Sequence, residues 1–175
     1  MLAQLIQTPR LRLVAATPPS LQAELAVPCA LSAYLNADLP DDWPLGDYDL
    51  DSARYFLEKL ETGGSEAAGW YGWYALHGST PPKLVGCGGY CGPPDASGTV
   101  EIGYSIAKQW QGQGFATEFV RALLARVAWH PSVRRIVAHT HPDNTTSMAV
   151  LRRTGFRQTL PTDHEAECWF EYPLN

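Results

Sequence analysis

Residues Glu101–Leu124 read EIGYSIAKQWQGQGFATEFVRALL, and this stretch decides the fold. From Thr99 to Ile106, apolar residues alternate with small or polar ones, which is typical of a strand with one buried face. The next part repeats apolar residues at helical spacing, which predicts an amphipathic helix. Its apolar positions are Phe115, Ala116, Phe119, Val120, Leu123, Leu124 and Val127. His130-Pro131 ends this helix, because proline cannot continue it.

The link between the strand and the helix carries two glycines, in the order Gln111-Gly112-Gln113-Gly114-Phe115-Ala116. Glycines let successive backbone N–H groups turn to one side, and a helix N-terminus adds partial positive charge. This favours an anion site of phosphate size, although an ordinary flexible turn has the same composition. The link is neither a Gly-Lys-Ser/Thr phosphate loop nor a complete dinucleotide fingerprint, whose last spaced glycine is missing.

Periodicity and turn residues predict the remaining elements. The predicted strands are Arg10–Ala15, Trp70–His77, Lys83–Tyr90, Arg135–Ala138, Phe156–Leu160 and Ala166–Tyr172. The predicted helices are Ser20–Val27, Asp51–Leu60 and Asn144–Thr154, and Pro28–Leu50 is expected to be an irregular loop. This order predicts an α/β fold in which one mixed sheet has helices on both faces, and residues 1–175 form a single domain.

Composition restricts the function further. The chain has 175 residues, is 45% hydrophobic, and carries 13 basic against 18 acidic residues, for a net charge of −5. This balance excludes a nucleic-acid partner bound by broad phosphate neutralisation. No apolar stretch approaches the ~20 residues that span a bilayer, and no signal-peptide core is present. The four cysteines form no CxxC pair. We therefore expect a cytoplasmic protein with no membrane partner and no metal.

Three stretches together resemble the GNAT superfamily of acetyl-CoA-dependent N-acetyltransferases. Gln111-x-x-Gly114-x-Ala116 matches its Gln/Arg-x-x-Gly-x-Gly/Ala pyrophosphate motif. Around that motif, Glu101–Leu124, His141–Arg157 and Thr8–Thr17 resemble the branch that includes ribosomal-protein N-terminal acetyltransferases. The resemblance implies a mixed, mostly antiparallel sheet of about seven strands whose central strands splay apart, with acetyl-CoA in the gap as cosubstrate.

The resemblance also implies which residues contact acetyl-CoA. Backbone groups of Tyr104, Ser105 and Ile106 would bond the pantetheine. The pyrophosphate would lie on Gln111, Gly112, Gln113, Gly114, Phe115, Ala116 and Thr117. Asn144 has two compatible interpretations, as the N-cap of its helix and as a cofactor contact. Arg153 either offsets the dipole at the end of that helix or grips the 3′-phosphate of the cofactor.

Two residues are candidates for catalysis. An amine is mostly protonated at pH 7, so a base must take a proton before attack. Glu101 is the candidate base, acting directly or through a water, because it shares a strand face with Ser105; the alternative is a surface glutamate. Many family members use a Tyr of the last helix as acid, but Leu151 stands at that position here. Ser147, one turn earlier on the same face, is the substitute that the branch suggests.

The sequence does not identify the amine that accepts the acetyl group. A protein N-terminus and a small-molecule amine both suit a mildly acidic site. The acidic residues Asp38, Asp41, Asp42, Asp47, Asp49 and Asp51 are either caps and solvated loop residues or a patch that attracts a cationic amine. In the same loop, Trp43 and Tyr48 either wall the acceptor site or anchor the loop. Both a monomer and a homodimer through the last strands are compatible with the sequence.

Three rival interpretations remain. A serine hydrolase would use Ser105 in Gly103-Tyr104-Ser105-Ile106-Ala107, followed by Asp143 and His164. Against it, Ser105 lies inside a strand-like alternation, whereas a nucleophile elbow needs a sharp turn. A metal site at His139-x-His141-x-Asp143 is disfavoured, because Pro142 breaks the strand. The third is a non-catalytic module that binds acyl-CoA and transfers nothing.

Overall fold

A computed structural model describes residues 4–46, 48–78, 80–159 and 167–174. The strands are β1 (Leu5–Gln7), β2 (Leu11–Ala15), β3 (Trp73–His77), β4 (Lys83–Tyr90), β5 (Thr99–Ile106), β6 (Arg135–Thr140), β7 (Arg157–Gln158) and β8 (Cys168–Tyr172). The helices are α1 (Pro18–Ala26), α2 (Pro28–Leu35), α3 (Leu50–Ala67), α4 (Phe115–Val127) and α5 (Thr145–Arg153). A short 3-10 turn, Lys108–Trp110, lies between β5 and α4.

The strands form one mixed sheet of eight strands in the order β1-β2-β3-β4-β5-β6-β8-β7. Neighbouring strands are antiparallel, except that β5 and β6 are parallel. Within the described residues, β5 and β6 pair only from Thr99 opposite Arg135 to Glu101 opposite Val137. Beyond that point the two strands diverge, which confirms the expected splay at the centre of the sheet. The predicted count of about seven strands was close.

Helices cover both faces of the sheet, as predicted. On one face, the Tyr90 hydroxyl of β4 donates to the carbonyl of Leu123 in α4, at 2.7 Å. On the other face, the Tyr74 hydroxyl of β3 donates to Glu24 in α1, at 2.8 Å. Alternation along β5 follows the same division, because Val100 and Ile102 are buried in the core while Glu101 and Ser105 point to the opposite face.

The prediction of an irregular loop over Pro28–Leu50 was wrong in its first part, where α2 forms. Pro28 was interpreted as a loop residue. At the first position of a helix, however, the missing N–H of proline costs no hydrogen bond. α2 ends at Asn36, which adopts a left-handed conformation with φ 48°. The described residues that follow, 37–46 and 48–49, are irregular apart from an isolated bridge between Asp38 and Lys83.

Other elements also differ from the prediction. The third helix runs on to Ala67 rather than ending at Leu60, with a kink at Gly64, whose φ of 54° and ψ of −137° are not helical. The first strand β1 was missed, because its three residues are too few to show a period. Of the last two predicted strands, β7 and β8 form, while the predicted ends Leu160 and Ala166 lie outside the described residues.

Candidate functional site

A cleft of about 710 Å³ opens where β5 and β6 diverge. Its walls come from the end of β5, the link to α4, the first turn of α4 and the first two turns of α5. The sequence-predicted residues that line it are Tyr104, Ser105, Ile106, Gln111, Gly112, Gly114, Phe115, Ala116, Thr117, Asn144, Ser147 and Arg153. Gln113 and Glu101, also predicted, lie outside this lining. The splay therefore brings most of the predicted site residues to one cavity.

The N-terminus of α4 faces this cleft without a side-chain cap. Its N-cap is Gly114, in the left-handed conformation with φ 83°, and no side chain accepts from its first turn. The first N–H groups of a helix have no partner within the helix. Gly112 is also left-handed, with φ 73°, and a Cβ added there would meet no atom within 4 Å. The link therefore presents free donors to the cleft with no side chain in front of them.

Arg10, which follows β1, holds this link in place. Its Nη1 donates to the carbonyl of Gln113 at 2.8 Å, and its guanidinium lies 4.4 Å from the centre of the Phe115 ring. Glu118 of α4 accepts from the backbone N–H of Arg10 at 2.8 Å and from Arg10 Nε at 2.7 Å. The conformation that exposes the helix N-terminus is thus fixed by the strand edge beside it.

Gln111 and Asp42 hold the beginning of the link. Gln111 Nε2 donates to the carbonyl of Ile106, at 2.9 Å, which ties the link to the end of β5. Asp42 Oδ2 accepts from the backbone N–H of Lys108, at 3.0 Å. Gln111 therefore has a structural contact of its own, in addition to its place in the cleft wall.

At the opposite wall, the N-terminus of α5 is capped and bonded to β5. Asn144 Oδ1 accepts from the N–H of Ser147 at 3.0 Å, so the N-cap interpretation of Asn144 is correct. The hydroxyls of Ser147 and Tyr104 lie 3.0 Å apart, within hydrogen-bonding distance. Burial raises the pKa of the Tyr104 phenol to about 12. Tyr104 is therefore neutral at pH 7 and keeps a proton to share with Ser147.

Glu101 lies at the point where the two central strands part. Its Oε1 is 2.5 Å from Nδ1 of His139 on β6. Its side chain is 27% exposed, so it reaches solvent from the face of the sheet opposite α4. The sequence placed Glu101 correctly on the face of Ser105, but it did not predict the contact with His139.

The acidic loop residues have mostly local partners. Asp38 pairs with Lys83, and Asp51 pairs with Arg54 at 2.5 Å. Asp49 caps α3 by accepting from the N–H of Ser52 at 2.8 Å, and this bond lowers the pKa of its carboxyl. Asp47 lies outside the described residues. The capping interpretation therefore accounts for several of these carboxylates.

The aromatic residues of the same loop pack onto the sheet. The Trp43 ring lies 5.8 Å from that of Tyr48 and 6.3 Å from that of Tyr74. The Tyr48 hydroxyl donates to Glu24 at 3.1 Å. Between them, Gly46 lies so close to Ser105 that an added Cβ would be 2.8 Å from its Oγ. Trp43 and Tyr48 therefore anchor a loop that covers the end of β5.

The arrangement does not support a serine hydrolase. Ser105 lies inside β5, opposite Cys87 of β4, and α4 begins only at Phe115. No sharp strand-to-helix turn therefore exposes its hydroxyl, as a nucleophile elbow requires. Asp143 lies 3.5 Å from His141, and His164 lies outside the described residues.

The described residues hold neither a metal-ligand cluster nor a membrane-spanning helix. Across the part of the chain that the structure describes, no three His, Cys, Asp or Glu side chains come together as metal ligands would. Among those same residues, no helix combines the length and the apolar character needed to cross a membrane.

Sequence reasoning missed part of the cleft wall. The structure adds Asp42, Gly46, Lys108, Trp110, Thr145, Thr146, Ala149 and Val150. Thr145 and Thr146 follow the predicted N-cap Asn144, so the exposed first turn of α5 was a usable signal. Asp42 and Gly46 arrive from a distant loop, and no local pattern could have indicated them.

Comparisons with known proteins agree with this geometry. A family model described as an acetyltransferase (GNAT) domain matches residues 22–157. The chain is 29% identical over 153 residues to the uncharacterized N-acetyltransferase YjdG of Bacillus subtilis (strain 168), covering 87% of this chain and 89% of that protein. It is 25% identical over 138 residues to the [ribosomal protein uS5]-alanine N-acetyltransferase of Escherichia coli (strain K12), covering 67% and 71%.

Among solved structures, the fold resembles a ribosomal L7/L12 alpha-N-protein acetyltransferase, RimL, determined in complex with coenzyme A. The TM-score is 0.64 with 20% sequence identity, and the match covers 95% of this chain and 96% of that one.

Proposed function

The chain belongs to the GNAT acetyltransferase family, and we propose that it transfers the acetyl group of acetyl-CoA directly to a primary amine within a ternary complex. One observation carries the proposal: the cleft at the splay ends on the uncapped N-terminus of α4, beside the glycine link. A strand edge next to a row of free N–H groups suits a long amide-bearing chain that ends in a pyrophosphate.

The cleft fits acetyl-CoA chemically. Gly112 and Gly114 leave room for phosphate oxygens against backbone N–H groups, and Lys108 and Arg153 add positive charge to the lining. Beyond Glu101, the edge of β5 that faces β6 is released from pairing, so backbone groups near Tyr104–Ile106 can bond pantetheine amides. When bound, acetyl-CoA supplies the acetyl group as an activated thioester.

Glu101 is the proposed general base. Its carboxylate takes one proton from the acceptor's ammonium group, directly or through a water, and leaves a neutral amine able to attack. Its position at the apex of the splay, partly exposed and on the face away from α4, supports this role. The negative charge of Glu101 also favours a cationic acceptor over a neutral one.

Ser147 is the proposed general acid. Its hydroxyl lines the cleft and lies 3.0 Å from that of Tyr104, whose phenol stays protonated at neutral pH. Ser147 can therefore give its proton to the departing thiolate while the Tyr104 hydroxyl, which stays protonated, donates a hydrogen bond to the serine oxygen. Solvent then returns a proton to Ser147. This pair would replace the tyrosine that many family members carry where Leu151 stands.

A panel of amines tests the proposal. The protein is incubated with acetyl-CoA and with peptides bearing a free or a blocked N-terminus, a polyamine or an amino sugar. We expect free thiol to be released with at least one free amine, together with acetylation of that amine by mass spectrometry. The blocked peptide is the matched control and releases none. Binding of acetyl-CoA without release for any amine would favour a non-catalytic acyl-CoA-binding module instead.

A further inference from the structure

Three side chains from separate parts of the sheet form a row beside the splay. His139 of β6 lies with Nδ1 2.5 Å from Oε1 of Glu101 on β5. Its Nε2 lies 3.5 Å from Oε2 of Glu167, directly before β8. The imidazole therefore stands between two carboxylates that no sequence pattern connects.

The imidazole is held in this position by its strand neighbour. His139 pairs with Trp169 of β8 in the antiparallel register, and their ring centres lie 4.9 Å apart with the planes inclined at 37°. A half-buried indole packed along one face restricts the rotation of the imidazole. Nδ1 is thus directed at Glu101 by the geometry of β6 and β8.

The three side chains are too exposed for their ion pairs to contribute much to the stability of the fold. The side chains of Glu101, His139 and Glu167 are 27%, 38% and 46% exposed. Exposed ion pairs contribute a median of only about 0–1 kcal/mol. An imidazole fixed against one particular carboxylate is better explained by its effect on that carboxylate.

We propose that His139 is a positioning residue for Glu101. The imidazole holds one oxygen of the Glu101 carboxylate through Nδ1–H and leaves the other oxygen free to receive the amine proton. This inference rests on the proposed function of Glu101 as base. In the step itself one proton passes from the acceptor ammonium to Glu101, which gives a neutral amine and a carboxylic acid, while His139 keeps its own proton.

The charge of His139 then sets the basicity of Glu101. A neutral imidazole donates an ordinary hydrogen bond, whereas an imidazolium forms a charge-assisted pair that stabilises the carboxylate and makes it a weaker base. Imidazoles ordinarily change charge between about pH 5 and 8. The rate should therefore fall as the pH falls through the range in which His139 gains its second proton.

The groups that face the imidazole come from β5, from β8 and from the residue before β8. Glu101 faces it from β5, Glu167 faces it from before β8, and Trp169 packs on it without titrating. Cys91, which follows β4, is close enough to Glu101 for its charge to act on the thiol. Burial and that charge raise the pKa of Cys91 to about 12, so the thiol stays neutral.

Two substitutions separate positioning from structure. The Asn side chain of His139→Asn can donate from the place of Nδ1 without titrating, whereas His139→Ala cannot donate at all. We expect His139→Ala to lower kcat at least about tenfold with the KM for acetyl-CoA unchanged. His139→Asn should retain kcat within about threefold and lose the limb of the pH profile that belongs to the imidazole.

His141→Asn is the matched control. His141 lies directly after β6 and faces Asp143 at 3.5 Å, with its side chain 66% exposed. This substitution removes an imidazole beside a carboxylate without touching Glu101, so both kcat and the pH profile should stay as in the unsubstituted protein. Wild-type kcat and an unchanged pH profile in His139→Ala would overturn the inference.

A measurement without any acceptor keeps this test apart from that of the proposed function. Histidine side-chain NMR of the free protein at one fixed pH, with His139 assigned by its loss in His139→Asn, reports the hydrogen bonding of each ring nitrogen. We expect the Nδ1 signal of His139 to move in Glu101→Gln, because the carboxylate oxygen that Nδ1 faces is replaced by an amide. An unmoved Nδ1 signal would overturn the inference even if acetyl transfer were established. A shifted Nδ1 signal without acetylation of any amine would instead reject the proposed function.

Discussion

At the scale of single residues, the hydroxyl pair of Tyr104 and Ser147 connects the two walls of the cleft. Tyr104 comes from β5 and Ser147 from the first turn of α5, so the pair spans the gap between the diverging strands. Because burial raises the pKa of Tyr104 to about 12, the hydrogen bond persists through neutral and mildly alkaline pH. The proposed acid therefore does not depend on a group that ionises near pH 7.

Replacing Ser147 tests this pair. Ser147→Ala keeps the backbone N–H that bonds to Asn144, so α5 should stay capped. We expect kcat to fall at least about tenfold, since a positioned proton donor contributes about 10²–10⁴-fold. The KM for acetyl-CoA should change little. Steady-state kinetics of thiol release measures both values.

Tyr104→Phe completes the comparison. It removes only the hydroxyl that faces Ser147, and we expect a smaller loss of kcat than in Ser147→Ala. Equal kcat in Ser147→Ala and in the unsubstituted protein would exclude Ser147 as the acid, and a larger loss in Tyr104→Phe would transfer the role to Tyr104.

Residue-level prediction from the sequence succeeded where a residue's role follows from its own strand or helix. Asn144 directly precedes a helical pattern, and the structure finds it capping that helix. Glu101 was assigned to the face of Ser105 from alternation alone. The contact between Glu101 and His139 depends on how β6 aligns with β5 and β8, and a local sequence pattern does not carry that register.

At the scale of elements, the proposed cofactor binding depends on the start of α4. Three other helices, α1, α3 and α5, are capped by the side chains of Thr17, Asp49 and Asn144. α4 begins instead at a left-handed glycine and leaves its first N–H groups to the cleft. A substitution at Gly114 therefore acts directly on the proposed phosphate cradle.

We expect Gly114→Asp to weaken acetyl-CoA binding at least about tenfold, because a carboxylate at the start of α4 repels the pyrophosphate. Calorimetric titration with acetyl-CoA measures the change. Gly78→Asp is the matched control. Gly78 has nearly the same φ, 84°, and an added Cβ there would meet no atom within 4 Å. It follows β3 and is not part of the cleft lining.

The control shares the backbone strain of Gly114→Asp, so it should lose similar stability yet keep the affinity of the unsubstituted protein. Equal affinity of Gly114→Asp and Gly78→Asp for acetyl-CoA would contradict the proposal that the pyrophosphate binds at the start of α4.

Prediction of elements from the sequence was accurate where the period was long and regular. β5 and α4 were found from alternation and from a repeated apolar face. α2 was missed because its eight residues begin at a proline in a stretch rich in loop formers. The extension of α3 was missed because Gly63 and Gly64 have a low helix propensity, yet the chain turns helically again after the kink at Gly64 as far as Ala67.

At the scale of the whole molecule, a buried carboxylate links α1, the 37–49 loop and the sheet. Glu24 is 5% exposed, and its Oε2 accepts from Tyr74 and from Tyr48. Its Oε1 is buried with no hydrogen-bond partner among the described residues. Burial raises the pKa of Glu24, and the hydrogen bonds from Tyr74 and Tyr48 offset only part of this effect.

The pH dependence of folding tests this account. Because the pKa of Glu24 is raised in the folded state, its contribution to stability is fully present below the unfolded value of about 4.5 and is lost as the pH rises through the folded value. Glu24→Gln keeps an acceptor for both tyrosines and cannot ionise. We expect the free energy of unfolding of this variant, relative to the unsubstituted protein, to increase from pH 4.5 to pH 8.

Urea denaturation of both proteins at matched pH values gives the difference, in which other titrating groups cancel. A difference that does not change with pH would mean that Glu24 has the same proton affinity in both states.

The central claim is that the splayed cleft holds acetyl-CoA, and calorimetric titration of the purified protein tests it most directly. The account predicts one acetyl-CoA per chain with a micromolar Kd, and no comparable binding of ATP or NADH under the same conditions. The absence of binding to acetyl-CoA, or equal binding of ATP or NADH, would contradict the account and leave the glycine link as a structural turn.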